Sequence, residues 1–395
     1  MRNITKTNSR NQRAVIGQSL DTLAQLGTDQ KKGPINGACS CGEKNDIKLN
    51  KSTKSDNKRA LQNRAGRKCR AVSLALNLVD IAKAKRDNAD NIKEYNEHQS
   101  KVKAYWNIYH CTSKLEHNNG KVTGRYCKNR LCLVCNSIRQ AQLINKYSPV
   151  FNDWFNCDDP HILTLTIENV KDNLLGAVVQ EMQAIIKRVQ GRIKKQLQRA
   201  DKPSMKGIRK FECTYNSKRV DFHPHYHLLI DTKENAELFR QYWVDAVQGS
   251  KLINCKMFGT DKKGQKVCLQ DLRRADPKAL KELVKYFTKI VTTSKGQKHV
   301  FCDSLDIIFG SIKGLRTFQN FGFKLPKEEA KKDTYELELE PNEAEYIGEQ
   351  KEQYIWNQPH ADWISNVTGL MLSDHKKSKQ LEEFPKLMIT TTNSS

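Results

Sequence analysis

The sequence has no long hydrophobic run and contains few acidic residues relative to basic ones. No segment approaches the roughly 18 consecutive apolar residues that a membrane-spanning helix requires, so we expect no membrane partner. The first residues, Met1 to Thr5, contain no apolar signal core, and this favours a cytoplasmic protein. Hydrophobic residues make up 37% of the 395 residues, a low share that predicts some chain outside any packed core.

Basic residues exceed acidic residues by a wide margin. The chain has 68 Lys and Arg against 44 Asp and Glu, which gives a net charge of +24. An excess of this size favours a polyanionic partner such as nucleic acid. The charge is concentrated in residues 101–325, whose net charge is +20, while residues 1–100 have +10 and residues 326–395 have −6. We therefore expect the middle of the chain to contact DNA.

Composition divides the chain into four regions. The first is polar and buries too little to offset the entropy of ordering, which predicts a basic, largely disordered arm with a helix across Ala71–Lys85. The last is acidic, and its segment Lys327–Glu352 is predicted to be a solvated helix or linker. The predicted regions are the N-terminal arm 1–104, a cysteine-rich segment 105–150, a larger domain 151–325 and the acidic tail 326–395.

Strand and helix patterns alternate along the middle of the chain. Period-2 alternation with β-branched residues predicts strands, and apolar residues three and four apart predict amphipathic helices. This order indicates an α+β fold with a central antiparallel sheet flanked by helices. The predicted elements are strands at Ile162–Ile167, Gly207–Tyr215 and His223–Asp231, and helices at Leu174–Leu197 and Asn235–Val247.

Three histidines alternate along one predicted strand. His223, His225 and His227 are two residues apart, so a strand presents all three on one face. Imidazoles on one rigid face are suited to bind a divalent metal ion. The alternative is a surface patch, or core histidines whose nitrogens bind backbone groups. Three histidines at this spacing favour the metal site.

A carboxylate on the preceding strand extends this set. If the two strands form a hairpin that turns at Lys218 and Arg219, Glu212 lies opposite His225. The carboxylate then provides a third, harder ligand, and two histidines with one carboxylate suit Mg²⁺ or Mn²⁺. Without this register, Glu212 is more often an exposed strand residue.

A helical pattern across Leu280–Ile290 presents a second group of polar residues. Glu282 and Tyr286 are four residues apart on one side of that helix, away from its apolar stripe. Lys285 and Lys289 share this side of the helix. A tyrosine oxygen can attack a phosphodiester, a carboxylate can activate the group that releases the DNA end, and a lysine can balance phosphate charge. Taken alone, the pattern is more often a solvated helix face, but the histidine strand favours catalysis.

Twelve cysteines in a chain that is expected in the cytoplasm predict free thiols or metal ligands. Cys127, Cys132 and Cys135 form a C-x4-C-x2-C motif that follows His110 and Cys111. Tetrahedral zinc takes four nitrogen or sulfur ligands from such short motifs. The pattern predicts a structural zinc site with either Cys111 or His110 as the fourth ligand, and buried free thiols are the alternative.

In these motifs and their order, residues 105–325 resemble the replication initiators of small rolling-circle plasmids, within the HUH endonuclease superfamily. The cysteine segment narrows the resemblance to a single-tyrosine subgroup with an upstream cysteine cluster. The segments that carry the resemblance are Arg125–Cys135, Leu163–Thr166, Phe211–Asn216, His223–His227, Glu282–Lys289 and Lys313–Arg316. One departure is Leu133, which stands where many relatives have proline.

The resemblance implies a metal-dependent enzyme that nicks one strand of a plasmid origin. Tyr286 would be the nucleophile and would stay attached to the 5′ phosphate, leaving a 3′ hydroxyl that primes DNA synthesis. Glu282 would be the base for the terminating hydrolysis, and Lys289 would assist at the phosphate. The implied ligands of Mg²⁺ or Mn²⁺ are His225, His227 and Glu212, with His223 as an accessory.

The resemblance also implies partners. The implied partners are double-stranded and single-stranded origin DNA, a host helicase and a replication polymerase. Within the chain, Lys285 and Arg130 are the expected DNA contacts. The arm and the tail lie outside the resemblance, so origin specificity does not follow from it.

Two other functions fit parts of the sequence. A conjugative relaxase or a single-tyrosine transposase would use the same chemistry, but relaxases usually place the tyrosine before the histidines and such transposases are typically much shorter. A zinc-stabilised DNA-binding regulator without catalysis would explain the basic charge through phosphate contacts. It would not explain three histidines on one strand face or the spacing of Glu282 and Tyr286. The sequence therefore favours the nicking initiator.

Overall fold

The computed structural model describes most of the chain from residue 54 onward. All of the described residues belong to one unit that spans residues 52–395. Within these residues, no helix is both long and apolar enough to cross a bilayer. The described residues are 54–118, 121–260, 264, 266–284, 292–294, 297–325, 337–338, 352–373 and 386–388.

Helices and short strands alternate along this part of the chain. The helices are α1 (Lys54–Asp87), α2 (Ile92–Tyr109), α3 (Leu133–Cys157), α4 (Asp172–Arg199), α5 (Lys233–Gln248), α6 (Ala279–Val284) and α7 (Cys302–Ser311). The strands are β1 (Lys114–Asn118), β2 (Lys121–Gly124), β3 (His161–Thr166), β4 (Gly207–Asn216), β5 (Asp221–Ile230), β6 (Phe258–Thr260), β7 (Lys266–Cys268), β8 (Leu272–Arg274), β9 (Thr292–Ser294), β10 (Gln297–Phe301), β11 (Phe318–Phe321), β12 (Leu337–Glu338), β13 (Gln353–Asn357), β14 (Asp362–Ser365) and β15 (Lys386–Met388).

A five-stranded sheet with the order β11-β4-β5-β3-β8 forms the centre of the fold. All of its strand pairs are antiparallel, and the long β4–β5 hairpin lies in its middle. The predicted α+β fold with a central antiparallel sheet is therefore confirmed. A second five-stranded sheet, β12-β2-β1-β13-β14, and two smaller sheets, β15-β10-β9 and β6-β7, are also present.

Different helices cover the two faces of the central sheet. Phe211 and Tyr226 point to one face and pack with the apolar sides of α4 and α5 in the largest core. On the opposite face, Ile208 and Leu229 pack with α3 and α6. Because strand side chains alternate between faces, the next residues on this second face are Lys210, Glu212 and the histidines. The core that Ile208 and Leu229 form at one end of this second face therefore positions α6 beside these polar residues.

Helices α1 and α2 pack against the cysteine-rich segment and against α7. A fully buried carboxylate, that of Asp306 on α7, lies between these elements. Asp306 accepts a hydrogen bond from Lys85 of α1 at 2.8 Å. It also accepts hydrogen bonds from Lys101 and Tyr105 of α2 at 3.2 and 2.6 Å. Contacts between residues far apart in sequence therefore hold these two helices in place.

The N-terminal region differs from its prediction. The sequence predicts a largely disordered arm over residues 1–104, whereas the described part, from Lys54, is helical across Lys54–Asp87 and Ile92–Tyr109. Several apolar residues of α1, among them Leu74 and Leu78, are fully buried against partners from elsewhere in the chain. Composition alone does not reveal those partners. Residues 1–53 lie outside the described residues.

The acidic tail also contains folded structure. Strand β13 pairs with β1 of the cysteine-rich segment, and β14 pairs with β13. Trp363 of β14 is fully buried, and its indole nitrogen donates to the backbone oxygen of Thr112 at 2.6 Å. Apolar residues of this part of the tail complete a core begun by Ala65 and Leu115. The predicted solvated helix or linker, Lys327–Glu352, lies mostly outside the described residues, which include only 337–338 and 352 of it.

Candidate metal centres

The β4–β5 hairpin sets the positions of the candidate metal ligands. Its register pairs Glu212 with His225 and Lys210 with His227, and the connecting turn spans residues 217–220. The predicted register is therefore confirmed. Because alternate residues of a strand share a face, Glu212, His225 and His227 lie on the same face of the sheet. We call these three residues the metal-ligand set.

One carboxylate oxygen of Glu212 faces both histidines. Its Oε2 atom lies 3.5 Å from Nε2 of His225 and 3.6 Å from Nε2 of His227. The ligand atoms of the set all lie within 4.8 Å of one another. In an octahedral Mg²⁺ or Mn²⁺ site with bonds of about 2.1 Å, neighbouring ligand atoms are about 3 Å apart. The set is close to that spacing and fits a small divalent cation.

Contacts on the far side of each imidazole orient the two histidines. Nδ1 of His225 lies 3.0 Å from the backbone oxygen of His223. Nδ1 of His227 lies 3.2 Å from Oγ1 of Thr164 on the neighbouring strand β3. These contacts engage Nδ1, so that Nε2 is the nitrogen directed at Glu212 in both residues.

A buried lysine accompanies the Glu212 carboxylate. The side chain of Lys210 is fully buried, and its Nζ atom donates to Oε1 of Glu212. Burial raises the pKa of Glu212, but hydrogen bonds from His225 and His227 and the charge of Lys210 outweigh it and hold the pKa well below its ordinary value. Glu212 is therefore ionised, which is the form that binds a metal ion.

His223 lies outside the metal-ligand set. Its Nδ1 atom is 2.9 Å from Oδ1 of Asn169, and its ring stacks on that of His225 with 5.1 Å between centroids. Burial, together with the charges of His225 and Arg219, lowers the pKa of His223 to about 4, so its ring is neutral near pH 7. Of the four histidine and glutamate side chains predicted for the site, the structure brings three together.

Helix α6 packs beside the metal-ligand set on the same sheet face. Leu280 and Leu283 are buried in the core that α6 shares with the sheet, and this leaves Glu282 exposed. The Glu282 carboxylate pairs with Arg273 of β8 at 2.8 Å. The described part of the helix ends at Val284. Three predicted site residues lie outside the described residues, namely Lys285, Tyr286 and Lys289.

Arg130 contacts the backbone of the same chain. Its Nη1 atom donates to the backbone oxygen of Ile312 at 2.9 Å, and its Nη2 atom donates to that of Leu315. Both carbonyl groups follow the end of α7, where a cation is favourable. The guanidinium connects the cysteine-rich segment to the C-terminal end of α7. The expected contact of Arg130 with DNA stays a prediction.

Four cysteine thiols converge near the start of α3. Two of the separations between Sγ atoms are 3.5 Å, for Cys111 and Cys135, and 3.7 Å, for Cys127 and Cys135. A tetrahedral zinc ion with bonds of about 2.3 Å sets its sulfur ligands about 3.8 Å apart. The cluster therefore fits a zinc ion. Its members, all within 4.8 Å of one another, are Cys111, Cys127, Cys132 and Cys135.

The geometry selects Cys111 and not His110 as the fourth member of this cysteine cluster. The ring of His110 instead stacks on Trp106, with 5.9 Å between centroids. Hydrogen bonds from the other three thiols lower the pKa of Cys135, which favours the thiolate that binds metal. Lys68 lies beside the cluster, fully buried, and donates to the backbone oxygen of Tyr109 at 2.5 Å. Its charge offsets part of the negative charge of clustered thiolates.

The sequence patterns did not identify the residues that contact the predicted site residues. Lys210 could have been found, because the register that pairs Glu212 with His225 also pairs Lys210 with His227. Asn169 and Arg273 lie in a loop and on a short strand whose positions depend on tertiary packing. No local signal marks them.

Known proteins with related sequences were found by comparison. The replication protein family matches residues 120–364. A protein named Protein rep from Staphylococcus aureus is 30% identical over 168 residues, which are 41% of this chain and 69% of the relative. A Protein rep from Bacillus amyloliquefaciens is 27% identical over 225 residues, 50% of this chain and 63% of the relative. The comparison with solved structures found no significant match.

The family match covers more than half of the chain. It includes three of the four clustered cysteines, the β4–β5 hairpin with the metal-ligand set, and α6. The relatives carry the name Protein rep, which agrees with the resemblance seen in the same segments. That resemblance to plasmid replication initiators is confirmed, and the chain belongs to the replication protein family.

Proposed function

We propose that this protein initiates rolling-circle replication of a plasmid by nicking one strand of its double-strand origin. One observation carries the proposal: the metal-ligand set lies on the sheet face against which α6 packs. Helix α6 contains Glu282, and the chain reaches Tyr286 two residues after α6 ends. Cation ligands and a carboxylate on one side of the sheet, with a tyrosine four residues further along the sequence, are the groups that such a reaction requires.

The metal-ligand set would hold Mg²⁺ or Mn²⁺. A divalent cation held there would supply Lewis-acid polarisation of a phosphate oxygen at the scissile phosphodiester. Glu212 contributes one oxygen, and His225 and His227 contribute one nitrogen each. Three protein ligands leave coordination positions for water and for a phosphate oxygen.

Tyr286 is the proposed nucleophile. Its phenolic oxygen loses its proton and attacks the phosphorus, while the bond from phosphorus to the 3′ oxygen breaks. The leaving 3′ oxygen takes up a proton, so the products are a 3′ hydroxyl and a 5′ phosphotyrosine. The 3′ hydroxyl primes leading-strand synthesis. Lys285 and Lys289, close by in sequence, would balance the charge that develops on the phosphate.

Glu282 is the proposed base of the terminating step. Its side chain is 51% exposed, so water or a 3′ hydroxyl can reach the carboxylate. The carboxylate accepts a proton from that nucleophile as it attacks the phosphotyrosine, and the tyrosine leaves. Hydrolysis or rejoining of the strand then ends the cycle.

The rest of the chain would bind the origin. The net charge of +24 suits both double-stranded and single-stranded DNA. The cysteine cluster would hold a structural zinc ion that fixes the start of α3. A host helicase and a replication polymerase would act on the opened strand.

Substitution of the nucleophile tests this proposal. Full-length protein is incubated with labelled single-stranded origin DNA in Mn²⁺ or in chelator, and the products are separated under denaturing conditions. We expect a denaturant-resistant adduct with the wild type in Mn²⁺, and none with Tyr286→Phe or with chelator. Tyr95→Phe, at a tyrosine of α2 that is 41% exposed, is the matched control and should form the adduct.

Other outcomes would favour other functions. If the wild type binds the DNA and leaves it uncut with every metal ion, the zinc-stabilised regulator becomes the better description. If the adduct survives Tyr286→Phe, the covalent chemistry stands and another residue is the nucleophile. Transfer of the cleaved end to unrelated DNA would indicate a transposase.

A further inference from the structure

A buried lysine lies under the metal-ligand set. Among the described residues, Lys210 and Lys68 are the two lysines whose side chains are fully buried. An ammonium group removed from water is costly unless it is paired, so a buried lysine at this place needs an anionic partner. For Lys210 this partner is the carboxylate of Glu212.

The two carboxylate oxygens of Glu212 have separate partners. Oε1 accepts from the ammonium group of Lys210, while Oε2 faces Nε2 of His225 and of His227 at 3.5 and 3.6 Å. Lys210 and Glu212 are two residues apart on β4, so they share a face and keep this relation as long as the strand is paired. One oxygen is thus engaged by the protein, and the other is directed to the centre of the set.

We propose that Lys210 is a positioning residue that holds Glu212 as a one-oxygen ligand of the divalent cation. The proposal rests on the metal site of the proposed function and assigns a selectivity to it. Mg²⁺ and Mn²⁺ take ligands in octahedral geometry, whereas the larger Ca²⁺ takes six to eight oxygens and often both oxygens of one carboxylate. A carboxylate with one oxygen engaged by Lys210 therefore favours the smaller cations over Ca²⁺.

Binding of the metal ion alone, without DNA, tests this role. Calorimetric titration of full-length protein with Mn²⁺ and with Ca²⁺ gives two affinities and their ratio. For Lys210→Met we expect Mn²⁺ binding about tenfold weaker, as for other residues that orient metal ligands. We also expect a smaller preference for Mn²⁺ over Ca²⁺, because Glu212 can then offer both oxygens. Lys210→Gln keeps a hydrogen-bond donor and should lie between wild type and Lys210→Met.

The matched control is Lys218→Met, at an exposed lysine in the turn that connects β4 and β5. It should leave both affinities unchanged. Circular dichroism verifies the folding of each variant, and Lys210→Gln replaces Lys210→Met if the latter does not fold. Equal or tighter Mn²⁺ binding by both Lys210 variants, or an unchanged ratio of affinities, would overturn the positioning role. A wild type that binds neither ion would overturn the metal site itself, and with it this role.

Discussion

Side chains around the metal-ligand set divide into those that face a common centre and those that orient them. Glu212, His225 and His227 direct one atom each to the centre, whereas Lys210 and Thr164 contact the opposite side of those groups. Orientation of this kind lowers the cost of binding, because the ligands lose little freedom when the ion arrives. The contribution of each residue to metal binding can therefore be measured by substituting one residue at a time.

The two outer histidines of β5 should differ in metal binding. We expect His227→Ala to weaken Mn²⁺ binding more than tenfold, because it removes a ligand atom. His223→Ala should change it less than about twofold, since the ring of His223 contacts Asn169 and lies outside the set. Calorimetric titration of both variants measures this, and equal losses would show that His223 is a ligand.

The residues at the cysteine cluster allow a similar comparison. Protein purified with zinc should carry one ion per chain, and Cys111→Ser should lose it, because three thiols remain. His110→Ala should retain zinc, since its ring stacks on Trp106 away from the thiols. Metal analysis of the purified variants gives the stoichiometry. Zinc loss in His110→Ala with retention in Cys111→Ser would reverse the assignment.

At the scale of elements, a single buried carboxylate attaches α1 and α2 to α7. Asp306→Asn leaves Lys85 and Lys101 facing a neutral partner, and we expect it to lower the free energy of unfolding by about 3 kcal/mol near pH 7. Asp80→Asn, at an exposed position of α1, is the control and should change it by less than about 0.5 kcal/mol. Denaturant unfolding measures both. A loss no larger than that of the control would contradict the role of Asp306.

The same carboxylate gives a pH dependence with a definite sign. Burial raises the pKa of Asp306, but Lys101 and Lys85 outweigh it, so the folded-state pKa lies below the ordinary value. A lowered acid pKa contributes stability above the unfolded pKa of about 3.9 and loses it as the pH falls through the folded pKa. The difference between wild type and Asp306→Asn should therefore be constant from about pH 5 to pH 7 and shrink below about pH 4. A difference that grows on acidification would contradict this assignment.

Elements also differ in how far local patterns predicted them. The strand and helix periodicities identified β3, β4, β5, α4 and α5 within a few residues. The symmetry of a hairpin about its turn predicted that Glu212 lies opposite His225, and the pairing confirms it. Helix α1 was predicted only in part, because its buried residues face α2 and the cysteine-rich segment. Such partners are far away in sequence.

At the scale of the whole molecule, we expect the tail to stabilise the cysteine-rich segment. Trp363→Ala should lower the free energy of unfolding by about 3–5 kcal/mol, because it removes a fully buried indole that packs near Leu115 and donates to Thr112. Ile355→Ala, on the adjacent strand, removes a side chain that is 53% exposed and is the control, with a loss below about 1 kcal/mol. Thermal unfolding compares the two. Equal, small effects would mean that the tail does not stabilise this segment.

Local spacing was sufficient to predict the groups that could hold a metal ion. Period-2 histidines, a hairpin-related carboxylate and a C-x4-C-x2-C motif depend on contacts within one or two elements, which a linear pattern contains. Tertiary structure alone decided which fourth residue joins the cysteines, that Arg130 contacts α7, that Lys210 lies buried under Glu212, and that the acidic tail returns to β1. These outcomes depend on burial and on pairing between distant segments, whose free energies arise only when the chain is packed.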